Sequence, residues 1–582
     1  MELLSGNEAI ARGAWEAGAA VGVAYPGTPS TETMEAFARY SDVYAEWCPN
    51  EKVAVEVGLG ASAAGVRVLS TMKHVGVNVA ADPLYTAAYS GVGGGFVILA
   101  ADDPGMHSSQ NEQDTRFHAL GAKIPVFEPS DSAEALSFTR DAFELSERFD
   151  LPVFVRSTVR VSHTKCMVET GDRTSIEPRP YQKDASKWVM MPAYAKPRRA
   201  SLDRRLEAVR EFVETCPYNL VVPASVAAES KGRIGVVCAG AVYQHVREAL
   251  PEADILKLGI SWPLPASKIS AFADSVDELY VIEEASDFLS LQVKSLGIDV
   301  SGTVNPLPVA GELTPAAIKE AFGKELPSHA DQASDLPARP PALCPGCPHR
   351  LVFRELSRMR AIVTGDIGCY TLGALAPLSA MDTCIDMGAS ISMAHGFELG
   401  MGERKHAPVI AVIGDSTFAH SGITSLLNTV YNQGAGTVCI LDNRTTAMTG
   451  RQGNPCNGVT LQNRPSRELD LVQLVTALGV DDVVQVDPQN LQDVRTALSA
   501  AVKNPALSVI VFRSPCVLLE RPDRKPFTIK ESCRGCGVCS LLGCPAISKD
   551  GQSLKASIDP MLCVGCSQCA QMCGFGCIEQ EA

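Results

Sequence analysis

Eight cysteines near the end of the chain have the types and spacing to hold electrons. "CRGCGVCSLLGCP" spans residues 533–545, and "CVGCSQCAQMC" begins at Cys563. Cys533, Cys536 and Cys539 stand as CxxCxxC, followed by Cys544 and Pro545; Cys563, Cys566, Cys569 and Cys573 stand as CxxCxxCxxxC. Three thiolates on one such loop can grip three irons of a cubane, and in chains with two cubanes the fourth ligand comes from the other run. Cys544 would then complete the set of Cys563, Cys566 and Cys569, and Cys573 the set of Cys533, Cys536 and Cys539. The first run is one residue longer than usual before its last cysteine, and Gly574 stands where a proline is usual. Zinc also uses CxxC pairs and is the competing ion, but such triplets favour two [4Fe–4S] clusters. Cys577 is left over.

Nothing in this tail is large enough to oxidise a substrate, so the electrons must come from the rest of the chain. At 582 residues, with roughly 100–200 residues per domain, three or four domains are expected. Aromatic residues make up only 6% of an otherwise aliphatic composition, which suits α/β layers with parallel sheets. The net charge of -15 argues against nucleic-acid binding, which needs a basic face. No apolar run reaches membrane-spanning length and the N-terminus lacks a leader pattern, so a cytoplasmic protein off the membrane is expected. Ten of the twenty cysteines lie in the last 70 residues, in triplets, which reads as ligation rather than disulfide bonding.

Residues 1–190 alternate strand and helix, with "LPVFVRSTVRVSH" as the last strong strand. Thr28, Lys73 and the loop 102–116 fall at the carboxyl ends of strands, where doubly wound sheets bind ligands. From about 195 to 232 the composition turns charged and irregular, and a second α/β domain then closes near 325. Residues 326–342, rich in Pro, Ala and charge, read as a linker. A third α/β domain covers 343–522, with strands at "APVIAVIGDS", "GTVCILDN" and "LSVIVFRSP". The cysteine-rich tail is 523–582.

In the third α/β domain "GDSTFAHSGITSLLNTVYNQGAGTVCILDNRT" resembles the diphosphate motif of thiamine diphosphate enzymes, with Ser416 for its second glycine and Asp442 for its first asparagine. Hard oxygen donors at this spacing suit Mg²⁺ bridging to phosphate. By that resemblance Gly414, Asp415, Ser416, Asn443 and Thr445 bind the cofactor, with Asp415, the Asn443 side chain and the Thr445 carbonyl on the metal. A helix beginning near His420 could aim amides at the diphosphate. Residues 51–60, "EKVAVEVGLG", match the pyrimidine-side pattern Ex₂Ax₃(A/G)xG through Glu51, Ala54, Gly58 and Gly60. This makes Glu51 the candidate glutamate for the pyrimidine nitrogen; a lone Glu there would otherwise be a solvated helix-start acid.

Together with "YPGTPSTE", "TMKHVGVNVAADPL", "DDPGMHSSQNEQDTR" and "LCPGCPHR", these segments resemble the 2-oxoacid:ferredoxin oxidoreductases along essentially the whole chain, nearest to the alpha subunits of the indolepyruvate type. The resemblance implies a pyrimidine-type and a diphosphate-type thiamine domain, a transketolase C-terminal-like domain between them in sequence, and a two-cluster ferredoxin-like tail. It implies oxidative decarboxylation of an aryl pyruvate, with coenzyme A taking the acyl group and ferredoxin the electrons. A small beta subunit carrying a gamma-type domain is implied as partner.

By the family pattern Thr28 would contact the substrate, Arg116 would pair with its carboxylate, and His420, like His74 and His349, could move protons. A turn residue, a surface charge and packed histidines are the plain alternatives. Met448 stands in "TAMTGRQ" where pyruvate-specific relatives carry asparagine, and a flexible apolar side chain suits a larger aromatic substrate. Cys344, Cys347, Cys369 and Cys516 fall where pyruvate-type relatives hold a third cluster beside the thiazolium ring; zinc or an empty site is the alternative. A pyruvate, branched-chain or 2-oxoglutarate enzyme, or an electron-transfer adaptor on a degenerate scaffold, are the competing functions.

Overall fold

The computed structural model describes residues 1–226, 232–301, 307, 310–326, 340–404, 406–520, 524–551 and 553–580. It divides into two compact units, Met1–Leu336 and Pro337–Ala582. Most of the expected linker falls outside the described residues.

In the first unit, short β-branched and aliphatic runs stack into a seven-stranded sheet. Its order is Ile260–Trp262, Val126–Phe127, Val153–Thr158, Phe96–Asp102, Val68–Lys73, Val21–Ala24, Tyr44–Trp47, and every pair is parallel except the first. Phe96–Asp102 and Val68–Lys73 are buried along their whole length, as strands covered on both faces must be. Helix Glu51–Ala63 packs on this sheet, started by the Asn50 side chain, which accepts from the Val53 amide. Gly58 lets it lie close, since a Cβ there would stand 2.9 Å from the Phe96 ring. A Cβ at Gly60 would meet nothing.

A second sheet of this unit runs Glu278–Val281, Ile234–Ala239, Asp254–Leu258, Asn219–Val222, the last strand antiparallel. Ile260–Trp262 follows directly in sequence yet joins the first sheet, so the two sheets share one continuous segment.

Two expectations are corrected here. The stretch read as irregular from about 195 contains most of a 24-residue helix, Pro192–Thr215. Its charges hid a narrow apolar stripe, Leu202, Leu206, Val209 and Val213, which is buried at helical spacing. The strand in "LPVFVRSTVRVSH" ends at Thr158, and Val159–His163 turns into helix.

The second unit is built on a parallel six-stranded sheet in the order Thr383–Cys384, Ile362–Gly365, Val409–Gly414, Gly436–Asp442, Leu507–Arg513, Asp482–Val486. The tail adds two antiparallel pairs, Phe527–Ile529 with Ile578–Gln580 and Ile547–Lys549 with Ala556–Ile558. Among the described residues no helix is long and apolar enough to cross a membrane.

Candidate functional site

The carboxyl edge of the second unit's sheet gathers the motif residues. Asp415 leaves the end of Val409–Gly414, Asn443 follows Gly436–Asp442, and both are buried. The Asp415 carboxylate accepts from the Asn454 amide at 2.9 Å. Burial, and then the neighbouring Asp442, push its pKa up to about 7. Asp442 has Arg513 at 3.3 Å as its countercharge, whereas the hydrogen bond shown to the Asp415 side chain comes from a neutral amide.

A buried carboxylate held this way, with the oxygen of Asn443 nearby in the motif, has the chemistry of a hard-cation site. The Asn443 Oδ1 accepts from the Thr445 amide at 3.1 Å, and its Nδ2 lies 3.4 Å from His349 Nε2. Ser416 Oγ is 2.9 Å from Thr446 Oγ1. A side chain at Gly414 would strike the Tyr370 ring, 2.7 Å from its Cβ position. The donor set therefore fits Mg²⁺ and a diphosphate.

The helix does not begin near His420. It begins a turn earlier, at Asp415, and Phe418–Gly422 form a π-helical turn before the α-helix Ile423–Tyr431. His420 sits buried inside that turn, its Nδ1 2.6 Å from Ser421 Oγ.

Four cysteines from three parts of the second unit meet at the same edge. Cys344 and Cys347 share a turn ahead of helix His349–Met359, Cys369 follows Ile362–Gly365, and Cys516 follows Leu507–Arg513. Burial raises the thiols of Cys344, Cys347 and Cys369, and each is raised further by others of the set: Cys344 by Cys516, Cys347 by Cys369 and Cys344, Cys369 by Cys516 and Cys344. The Cys516 amide donates to the Asn443 carbonyl at 3.0 Å, which ties this set to the oxygen-rich motif.

In the tail, Cys544, Cys563, Cys566 and Cys569 line a single cavity. Cys539, raised first by burial, also feels Cys533 and Cys536, and it shares an apolar cluster with Cys569 and Cys573. Cys577 packs with its thiol 3.5 Å from the Ser532 carbonyl. All twenty cysteines are free of disulfides. Among the described residues no three His, Cys, Asp or Glu side chains converge as a single-ion site. Thiols grouped by fours along loops, set in apolar surroundings, are a donor set that fits iron–sulfur clusters.

In the first unit Glu51 is buried at the start of its helix, with its carboxylate against the backbone of Gly76. A Cβ on Gly76 would lie 2.6 Å from Glu51 Oε1. Lys73 is buried one strand end away, donates to the Ser108 carbonyl at 2.7 Å, and is lowered to about 8 by burial against the pull of Asp103. Thr28 is half-buried in the turn closed by the Ser30 hydroxyl on the Gly27 carbonyl. A Cβ on Gly27 would meet Lys73 Cβ at 3.0 Å, so this turn and Lys73 are neighbours. His74 is buried, with Nε2 3.2 Å from the Asn111 carbonyl.

Arg116 is not the surface charge that was its plain alternative. Its side chain is 2% exposed and its guanidinium is committed to Asp114 at 2.6 Å and Glu283 at 3.2 Å, with Glu128 at 3.9 Å. Sequence showed a guanidinium at a strand end, but Glu283 comes from far along the chain and left no local mark.

Residues 12–208 match the family described as pyruvate flavodoxin/ferredoxin oxidoreductase, thiamine diphosphate-binding, and residues 366–512 match the C-terminal binding domain of thiamine pyrophosphate enzymes. Indolepyruvate oxidoreductase subunit IorA of Thermococcus kodakarensis is 39% identical, over 99% of this chain and 96% of that one. The chain belongs to the IorA family. The IorA protein of Archaeoglobus fulgidus is likewise 39% identical, over 98% of this chain and 96% of its own length. A solved 2-oxoglutarate:ferredoxin oxidoreductase from Magnetococcus marinus is 19% identical with a TM-score of 0.46, over 55% of this chain and 64% of that one, too distant a likeness to carry an argument. At 98–99% of this chain, these matches run through both units and the cysteine-rich tail.

Sequence reasoning passed over Asn454, Gly76 and Arg350. Asn454 carried one usable signal, a polar residue between Gly453 and Pro455 shortly after the Asp442-Asn443 pair. Gly76 acts through Glu51, and Arg350 links the nearby carbonyls of Leu343 and Cys344 to that of Leu542, distant in sequence; spacing reveals neither contact.

Proposed function

We propose that this chain is the catalytic subunit of an aryl-pyruvate oxidoreductase, decarboxylating substrates such as indolepyruvate, passing the acyl group to coenzyme A and the electrons to ferredoxin. The observation that carries this reading is its likeness to IorA proteins over essentially its full length. Thiamine diphosphate, when bound, supplies the carbanion chemistry that releases carbon dioxide from a 2-oxoacid.

The chain's own residues do the rest. Glu51 would hold the proton at the pyrimidine ring nitrogen, in a buried setting that fixes its carboxylate against Gly76. Asp415, Asn443 and the Thr445 carbonyl would hold Mg²⁺, with Asn454 orienting Asp415 through its amide. Thr28 and Lys73 would face the substrate. Met448 is 49% exposed in the loop after Asn443 and available to an aromatic side chain. The tail would carry two [4Fe–4S] clusters as a ferredoxin-like domain, and Cys344, Cys347, Cys369 and Cys516 a third. The domain boundaries proposed are those at 190, 195, 325, 343 and 523, and a small second subunit is the proposed partner of this cytoplasmic chain.

The test is reduction of ferredoxin by the chain together with its small subunit, under anaerobic conditions with coenzyme A. Indolepyruvate should turn over well ahead of pyruvate. Equal or better use of pyruvate would overturn the substrate assignment, and failure of the purified protein to take up thiamine diphosphate with Mg²⁺ would leave the adaptor reading in its place.

A further inference from the structure

Arg350 is one of the largest fully buried side chains of the protein, 2% exposed, and it stands where the two cysteine regions of the second unit touch. Its Nε donates to the Cys344 carbonyl at 3.1 Å, one terminal nitrogen to the Leu542 carbonyl at 2.7 Å, and the other to the Leu343 carbonyl. It also lines the cavity of Cys544, Cys563, Cys566 and Cys569. The turn before it is pressed onto the tail: a Cβ at Gly346 would lie 2.4 Å from Val564 and 3.6 Å from Cys566 Cβ. Gln568 closes the junction by donating to the Cys347 carbonyl at 3.1 Å.

All three hydrogen bonds of this guanidinium go to neutral carbonyls. Burial pulls its pKa below the ordinary value, and the groups that oppose that pull are thiols from both regions, Cys544 most, then Cys347, Cys344 and Cys566. A guanidinium keeps its proton in proteins, and burying it among apolar groups and carbonyls is costly unless an anion compensates. The groups arranged around it are thiols, and thiolate-bound iron–sulfur centres are anionic. A centre that gains an electron gains negative charge, so a fixed cation beside it favours the reduced form.

We propose that Arg350 is the fixed countercharge shared by iron–sulfur centres at these two cysteine sets, placed so that the tail centre at Cys544, Cys563, Cys566 and Cys569 is the easier of the two to reduce. This rests on the cluster assignments proposed above. It makes Arg350 a positioning residue that biases electrons away from the Cys344 set and toward the tail.

The experiment compares the full chain with its Arg350→Gln and Arg350→Lys variants by iron and sulfide analysis and by redox titration followed by electron paramagnetic resonance. Arg350→Gln should shift the reduction equilibrium of one tail centre by at least about tenfold toward the oxidised form, about 59 mV for a one-electron couple, with a smaller shift at a second centre, while Arg350→Lys stays within about threefold of the parent. Unchanged potentials in a fully loaded Arg350→Gln variant would overturn the proposal. If the Gln variant loses its clusters, retention in the Lys variant supports a role for the charge, and loss in both shows a strut and overturns it. A parent chain without iron and sulfide would instead refute the cluster assignment itself.

Discussion

At the scale of single residues, the first unit's candidate site depends on ionisable groups taken out of water. Glu51 and Lys73 are both buried, and each has a specific contact that explains its position. Replacing Glu51 by Gln removes the carboxylate without changing its shape, so turnover should fall by roughly 10²–10⁴-fold while thiamine diphosphate is still taken up; steady-state rates beside a cofactor titration check this. Lys73 gives a prediction for stability. Its pKa is lowered to about 8 from an ordinary value of 10.5, so between these values the unfolded chain binds more protons than the folded one. Stability from this group therefore rises with pH across that window, and its penalty is complete below about pH 8. Lys73→Met should raise the unfolding free energy at pH 7, by no more than about 3 kcal/mol, and the gain should shrink toward pH 10; denaturant titrations at both pH values measure it.

At the scale of elements, Gly76 shows how a helix start becomes a site. The turn His74–Val79 comes so close to helix Glu51–Ala63 that only a residue without a side chain leaves room for the Glu51 carboxylate. Gly76→Ala should lower turnover at least about tenfold with little loss of fold, because a misplacement of about 1 Å in a reacting group is enough for such losses. Far-ultraviolet circular dichroism and turnover on the same preparation separate the two effects. Much of this level was legible in sequence. The runs "APVIAVIGDS", "GTVCILDN" and "LSVIVFRSP" are continuous apolar stretches bounded by polar turns, and all three are central strands. The short strands Thr383–Cys384 and Asp482–Val486 were not legible, being edge strands with mixed composition. Helix Pro192–Thr215 was hidden because basic and acidic residues outnumber its four buried apolar ones. The burial of Arg116 was hidden for a related reason: a guanidinium looks the same in sequence whether it stands on the surface or among three carboxylates.

At the scale of the whole molecule, the central claim is that a thiamine centre and iron–sulfur centres work as one electron path in this chain. Sequence spacing alone grouped the tail cysteines, while the fold brings Cys344, Cys347, Cys369 and Cys516 together from across the second unit. Arg350 then joins that set to the tail. The measurement that tests this most directly is anaerobic. The chain is loaded with thiamine diphosphate and Mg²⁺, indolepyruvate or pyruvate is added to separate samples, and the visible iron–sulfur absorption is followed. Bleaching by indolepyruvate and not by pyruvate is the predicted result. Bleaching by neither, in a sample whose clusters dithionite still reduces, would contradict a continuous path within this chain.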